Sequence, residues 1–238
     1  MDVLDLTLPS GAENLALDEA LLLEAEADRG GEVLRLWEWP RPAVVLGAGG
    51  RVAEDVDETA CRADGVPVWR RASGGGTVLL GPGCLLFSLV VTYERSPAFG
   101  EIRSSYCAIL GTVRDALLDL RPDIACAGTS DLAAAGRKFS GNSQQRKRRH
   151  LLHHGTILYD FRLDQIRRYL RQPARQPDYR QNRPHGEFVM NLPATAAELK
   201  GRLRAAWHAD GDVSGWPRDE VRRLVAEKYS RPEWVRRR

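Results

Sequence analysis

Arg70-Arg71-Ala72-Ser73-Gly74-Gly75-Gly76-Thr77 separates two short apolar runs, Val66-Pro67-Val68-Trp69 before it and Val78-Leu79-Leu80 after it. Runs of this length rich in Val, Leu and Trp read as strands, so the glycines form a loop held between strands. Adjacent glycines let backbone N–H groups approach an anion with no side chain in the way, and a guanidinium fork beside them can hold a phosphate or carboxylate at two points. The loop matches neither G-x-x-x-x-G-K-[ST] nor the dinucleotide fingerprint, which argues against a P-loop kinase and a nucleotide-dependent dehydrogenase. A glycine triplet alone is as often a flexible turn. The flanking strands and the arginine pair weigh for a cradle.

Upstream, Val3 to Leu8 reads as a strand, and the apolar face Leu15, Ala16, Leu17, Ala20, Leu21, Leu23 as a helix closed by Asp28-Arg29-Gly30-Gly31. Val33–Trp37 and Ala43–Gly47 are strands whose separation by Pro40 and Pro42 suits a hairpin-like connection near a sheet edge. A short helix follows around Val56 to Ala63. Downstream, Thr77–Leu80 and Cys84–Val91 flank the turn Gly81-Pro82-Gly83, and Ile102 to Leu120 has helical spacing. Strands are expected at Ile124–Cys126, Leu132–Phe139 and Leu151–Leu158, a surface loop at Leu170–Phe188, and closing helices at Thr195–His208 and Arg218–Tyr229. Strands and helices do not alternate regularly, so the predicted class is α+β, a mixed or mainly antiparallel sheet flanked by helices.

A chain of 238 residues can bury a core without metal or disulfide staples, and a single domain over 1–238 is expected. No apolar run reaches the ~18 residues of a membrane span and no secretory leader opens the chain, so a cytoplasmic protein is expected. Cys61, Cys84, Cys107 and Cys126 lack C-x-x-C spacing and read as reduced thiols, with no fixed metal site. The net charge of +3 hides local basic clusters, at Arg146-Lys147-Arg148-Arg149, from Arg162 to Arg183, and at Arg236-Arg237-Arg238. Such clusters usually form a solvated face; here they point to an anionic ligand or an acidic partner rather than to nucleic acid.

Gly136-Arg137-Lys138-Phe139-Ser140-Gly141-Asn142-Ser143-Gln144 places one lysine in a short β-like stretch followed by a small-residue turn. A fixed lysine can bridge an acyl carbonyl and a phosphate as a point charge while a carboxylic acid is activated. Asp131, seven residues earlier, is a candidate to bind magnesium or orient an amine. His153-His154-Gly155-Thr156 opens a strand-like run, so one histidine is expected to face a pocket and the other solvent.

Taken in order, these segments resemble the catalytic domain of the lipoate-protein ligase A family, within the biotin and lipoate ligase fold. The resemblance runs through Asn14-Leu15-Ala16-Leu17-Asp18-Glu19, Trp37 to Gly47, the glycine loop, Gly136 to Gly141, His153 to Thr156, and Glu227-Lys228-Tyr229 with Glu233-Trp234. It implies lipoate plus ATP, with Mg2+, giving lipoyl-AMP, then transfer to a lysine of a lipoyl-acceptor domain. By the resemblance Lys138 is the catalytic lysine, and Arg71, Ser73, Gly74, Gly75, Gly76 and Thr77 line the adenylate pocket. Gly141 is expected among the substrate- and adenylate-binding residues, with Asp131, His154, Gly155 and Thr156 near the nucleotide side.

Three features depart from the family pattern. Leu80-Gly81-Pro82-Gly83-Cys84 stands where ligases carry a His-Asp pair, and Gly47-Ala48-Gly49-Gly50-Arg51 where a Gly-Arg-x-Gln-Asn segment is usual. The chain also stops just past Trp234, where larger ligases continue into an accessory domain, which leaves room for a separate accessory subunit. Octanoyltransferases of the same fold use no ATP and pass the acyl group through a cysteine thioester, for which Cys126 and Cys84 are the candidates. A degenerate fold that only docks partners is the non-enzymatic alternative.

Overall fold

The strand periodicity of the sequence resolves into two sheets. The structure, a computed structural model, describes residues 1–213 and 215–237, so Arg238 of the last basic cluster lies outside the described residues. Eleven strands are present among them: β1 (Asp2–Asp5), β2 (Val33–Glu38), β3 (Ala43–Leu46), β4 (Val68–Arg70), β5 (Val78–Leu80), β6 (Cys84–Thr92), β7 (Ala125–Ala127), β8 (Asp131–Ala134), β9 (Arg137–Arg146), β10 (His150–Leu158) and β11 (Gly211–Asp212). The large sheet has the order β11-β1-β2-β6-β10-β9-β8-β7, parallel from β11 to β2 and antiparallel from β2 to β7. The small sheet is β4-β3-β5, with β3 parallel to β4 and antiparallel to β5.

Helix α1 (Gly11–Glu26) begins at a capping box, in which Ser10 Oγ accepts from the Glu13 N–H and the Glu13 carboxylate accepts from the Ser10 N–H. The shorter α2 (Val52–Asp55) and α3 (Glu58–Ala63) follow β3, and α4 (Ile102–Leu117) packs on the opposite face of the large sheet from α1. The chain continues with α5 (Asp164–Tyr169), α6 (His185–Phe188), α7 (Ala196–Ala206), α8 (Arg218–Leu224), a π-helical turn at Val225–Tyr229 and α9 (Pro232–Arg236). No helix among the described residues is long and apolar enough to cross a membrane.

The run Cys84–Val91 is apolar throughout because both faces of β6 are covered. Leu86 and Val90 pack with α1 and the small sheet, while Leu85, Phe87, Leu89 and Val91 pack with α4 and α7.

Three sequence expectations are corrected. β2 and β3 do not form a hairpin: β2 pairs with β1 and β6, and β3 is the centre of the small sheet. The stretch Leu132–Phe139 is two strands broken by Ala135-Gly136, both at positive φ (48° and 68°), and the small residues after Lys138 lie inside β9 rather than in a turn. Leu170–Phe188 is not merely surface: Arg180 and Phe188 are buried, and Tyr179 reaches Asp131. Pro and Arg content concealed a segment that packs with its apolar and aliphatic parts.

Candidate active site

The glycine loop connects β4 to β5 and faces β9 and β10 across one pocket, which encloses about 700 Å³ of space not filled by atoms, its open mouth included. Leu15, Trp37, Val45, Leu80 and Leu86 make an apolar slot, and Lys138, Asn142, Ser143, His154 and Thr156 form a polar wall with Gly75 to Thr77 of the loop. A long apolar acid with its carboxylate toward Lys138 suits such a cavity.

Lys138 enters through an irregularity. Leu132 opposes Ser140 while the next residue, Ala133, opposes Lys138, so Phe139 is an extra residue in β9. In a regular strand residues three apart face opposite sides; the bulge places Lys138 and Gly141 on the same side. A Cβ at Gly141 would lie 2.7 Å from Lys138 Nζ, so this glycine makes room for the amine. Lys138 Nζ pairs with Asp131 Oδ1 at 2.7 Å, and Asp131 Oδ2 accepts from the Tyr179 hydroxyl at 2.8 Å. Both Asp131 oxygens are thus engaged, and no group of three metal-ligating side chains occurs among the described residues. Asp131 in this arrangement is an orienting carboxylate and does not fit a magnesium ligand.

The two arginines before the loop part company. Arg71 is buried, and its guanidinium donates to Ser73 Oγ (3.0 Å) and to the carbonyls of Gly74 (2.5 Å) and Gly76 (2.9 Å). It clamps the loop from within rather than presenting an open fork to a ligand. Burial pulls its pKa down to about 10, which leaves it charged at neutral pH. Arg70 points away, to the carbonyls of Gly47 and Gly50 and to Val235 and Arg237 of the C-terminal segment, so it is not part of the cradle. Alternation along β4 separates them.

Behind the loop runs a buried polar chain. Ser73 Oγ lies 2.5 Å from His154 Nε2, His154 Nδ1 lies 3.1 Å from Asp18 Oδ2, and Asp18 Oδ1 accepts from Arg35 at 2.6 Å. Ser88 also donates to Asp18, at 2.8 Å. Burial works to raise the Asp18 pKa, but the Arg35 guanidinium, with His154 and Ser88, holds it below the ordinary value. An ionised Asp18 assigns the Nδ1 proton to His154 and leaves Nε2 as acceptor for the Ser73 hydroxyl.

His153 faces the other way, as the alternation of β10 requires, but it meets Phe87 and Tyr106 and is fully buried rather than facing solvent as expected, because α4 covers that side of the sheet. Gly155 is close-packed, since a Cβ there would overlap the Asn142 side chain.

Neither candidate cysteine lines the pocket. Cys84 is fully buried in β6 and burial pushes its thiol well up. Cys126 on β7 opposes Leu132, whose side chain lies in the α4 core, and its charged neighbours Arg114 and Asp115 belong to α4. Directly opposed residues share a face, so Cys126 is on the side away from Lys138.

The model of the lipoyl protein ligase A/B catalytic domain matches residues 10–200 of this sequence. The chain belongs to this family. As a lipoyl protein ligase A/B member it is similar to octanoyltransferase LipM of Carboxydothermus hydrogenoformans, 32% identical over 95% of this chain and 94% of that protein. It is also similar to lipoate–protein ligase 1 of Staphylococcus aureus, 28% identical over 68% of this chain and 47% of that protein. In fold it matches the bipartite lipoate protein ligase of Thermoplasma acidophilum with a TM-score of 0.82 at 22% identity, covering 99% of this chain and 95% of that one. A lipoate-protein ligase A structure with bound ATP gives a TM-score of 0.84 at 22% identity, covering 99% and 98%.

Of the residues expected in the site of this family member, Lys138, Arg71, Gly75, Gly76, Thr77, Gly141, His154, Gly155 and Thr156 line the pocket, while Ser73, Gly74 and Asp131 support it from behind. Sequence reading missed Asp18, Ser88 and Tyr179. Asp18 carried a signal, a carboxylate within the apolar run Leu15-Ala16-Leu17-Asp18, where buried charge needs a partner.

Proposed function

We propose that the chain activates a lipoate-type carboxylic acid with ATP as an acyl adenylate and transfers the acyl group to a lysine of an acceptor protein domain. The observation that carries this reading is the pocket: its polar end holds the Lys138 amine and its apolar slot continues inward, with no cysteine among the lining residues. Adenylation needs an acyl carboxylate and an α-phosphate brought together with their negative charges offset, and Lys138 supplies a cation at that junction. The carboxylate oxygen attacks phosphorus and pyrophosphate leaves; in the second half-reaction the acceptor amine attacks the acyl carbon and AMP leaves. Asp131 and Tyr179 aim Lys138, Arg71 keeps the loop closed, and the Asp18–His154–Ser73 chain ties the glycine loop to the polar wall on β10. Magnesium is expected to arrive on the nucleotide phosphates. The Thermoplasma ligase is bipartite, and by that likeness a separate accessory chain is expected to assist activation here.

A second reading is favoured by the 32% identity to octanoyltransferase LipM across 95% of the chain. It requires a thioester on Cys126, which would have to turn from the α4 face to the pocket face. Mass spectrometry after incubation with lipoate and Mg-ATP, and separately with octanoyl-acyl carrier protein, distinguishes the two. Bound lipoyl-AMP without a covalent adduct supports the ligase reading; an octanoyl adduct on Cys126 replaces it with the transferase.

A further inference from the structure

We propose that Trp234, on α9 and outside the pocket lining, is a positioning residue for the nucleotide half of the reaction: it seats the C-terminal segment on Arg70, and Arg70 fixes the turn against which the glycine loop rests. The nucleotide part of this proposal rests on the ligase reading above.

Arg70 is fully buried, and its guanidinium joins two distant stretches of backbone. Nη1 donates to the carbonyls of Gly47 (2.9 Å) and Gly50 (2.7 Å), Nε and Nη2 donate to that of Val235 (3.0 and 2.8 Å), and Nη2 also donates to that of Arg237 (3.1 Å). A buried cation is costly unless its donors meet acceptors. Withdrawal of the C-terminal carbonyls would therefore favour a shift of the guanidinium towards water and away from the turn at residues 47–50.

That turn is the floor of the glycine loop. The Ala48 N–H donates to the Ser73 carbonyl at 2.8 Å, and Gly47 lies so close to Gly75 that a Cβ on it would come within 2.0 Å of the Gly75 carbonyl oxygen. The contacts set by Arg70 thus meet the stretch read as the phosphate cradle. The acyl slot stands apart, with Leu15, Trp37 and Leu86 carried by α1, β2 and β6.

Trp234 holds the other end. Its indole N–H donates to the Arg70 carbonyl (2.9 Å), and its ring carries two cations, with Lys228 Nζ 4.4 Å and Arg237 Cζ 3.7 Å from the centroid. Arg237 in turn donates to the Ala48 carbonyl at 2.9 Å, while Lys228 pairs at 2.7 Å with Glu19 of α1, which also accepts from the Tyr229 hydroxyl. One indole therefore ties the chain end both to α1 and to the floor of the glycine loop.

The test reads backbone motion and kinetics separately. Amide hydrogen exchange over residues 47–50 and 73–76, and KM for Mg-ATP and for lipoate, are compared in wild type, Trp234→Ala and Trp234→Phe, the last of which keeps a ring for the cations and loses only the indole N–H. Trp234→Ala should speed exchange in both loops roughly tenfold while β6 and β10 exchange as in wild type. KM for Mg-ATP should rise roughly tenfold with KM for lipoate within about twofold of wild type, and Trp234→Phe should fall between the two proteins. Unchanged exchange in the two loops overturns the proposal. So does faster exchange in β6 and β10 with both KM values raised, which would make Trp234 a general prop of the fold, and so does loop motion with both KM values unchanged. If wild type forms no lipoyl-AMP, the ligase reading falls, and the exchange comparison alone decides whether Trp234 governs the loop.

Discussion

His153 should make stability depend on pH in a measurable way. It is fully buried in β10 between the Phe87 and Tyr106 rings, whose centroids lie 6.0 Å and 5.5 Å away. Burial, reinforced by His154 beside it, pushes its pKa down from the ordinary 6.5 to about 3. Its partners suit a neutral ring, with Nε2–H donating to Asn142 Oδ1 at 3.3 Å and Nδ1 accepting from the Gln144 amide at 3.2 Å. A second proton on Nδ1 would face that amide donor. Between pH 6.5 and about 3 the unfolded chain holds this proton and the folded chain does not, so stability is lost as pH falls below 6.5. The slope is about 1.4 kcal/mol per pH unit, which amounts to about 2 kcal/mol over the first one and a half units below the ordinary value. Urea unfolding of wild type and His153→Gln at about pH 7.5 and about pH 5 isolates the effect, because the other groups titrate in both proteins. The stability difference between them should change by about 2 kcal/mol in favour of the variant at the lower pH. A difference that does not move with pH would refute the buried neutral imidazole.

Lys138→Ala should lower lipoyl-AMP formation at least about a hundredfold, because it removes the cation at the reacting centre. Its Asp131 pair is partly exposed, so the thermal midpoint should move by no more than a few degrees; wild-type turnover in this variant would remove Lys138 from the mechanism. Gly141→Ala should displace the lysine amine at little cost in stability, whereas Gly155→Ala should cost about 1–3 kcal/mol by overlapping the Asn142 side chain. Calorimetry with adenylation assays would show whether the two glycines separate in this way. Cys126→Ser should leave lipoyl transfer within about twofold of wild type if no thioester forms, while a loss comparable to that of Lys138→Ala would favour the octanoyltransferase route.

Local pattern predicted most elements because burial leaves a period in the sequence. The alternation in β10 put the two histidines on opposite faces, but the face of His153 is the α4 core and not solvent, because α4 covers that side of the sheet; the unbroken apolar run of β6 fits a strand covered on both faces. The arginine pair was read less well: both residues were given to the cradle, although strand alternation alone sends Arg70 away from Arg71. Which of the two faces the loop depends on what packs above β4, and that contact is made with the C-terminal segment, more than 160 residues away.

The sequence by itself determined the class of fold, the loop and lysine segments that meet at the pocket, and, through their order, the family. Those are matters of local propensity and of motifs short enough to carry their own backbone geometry. Only the tertiary structure decided that Asp18 orders His154, that Tyr179 holds Asp131, and that Cys126 lies on the far face. It also placed Lys138 and Gly141 together through an extra residue in β9. A bulge changes which face a residue occupies without changing composition, and contacts between distant segments leave no spacing to read.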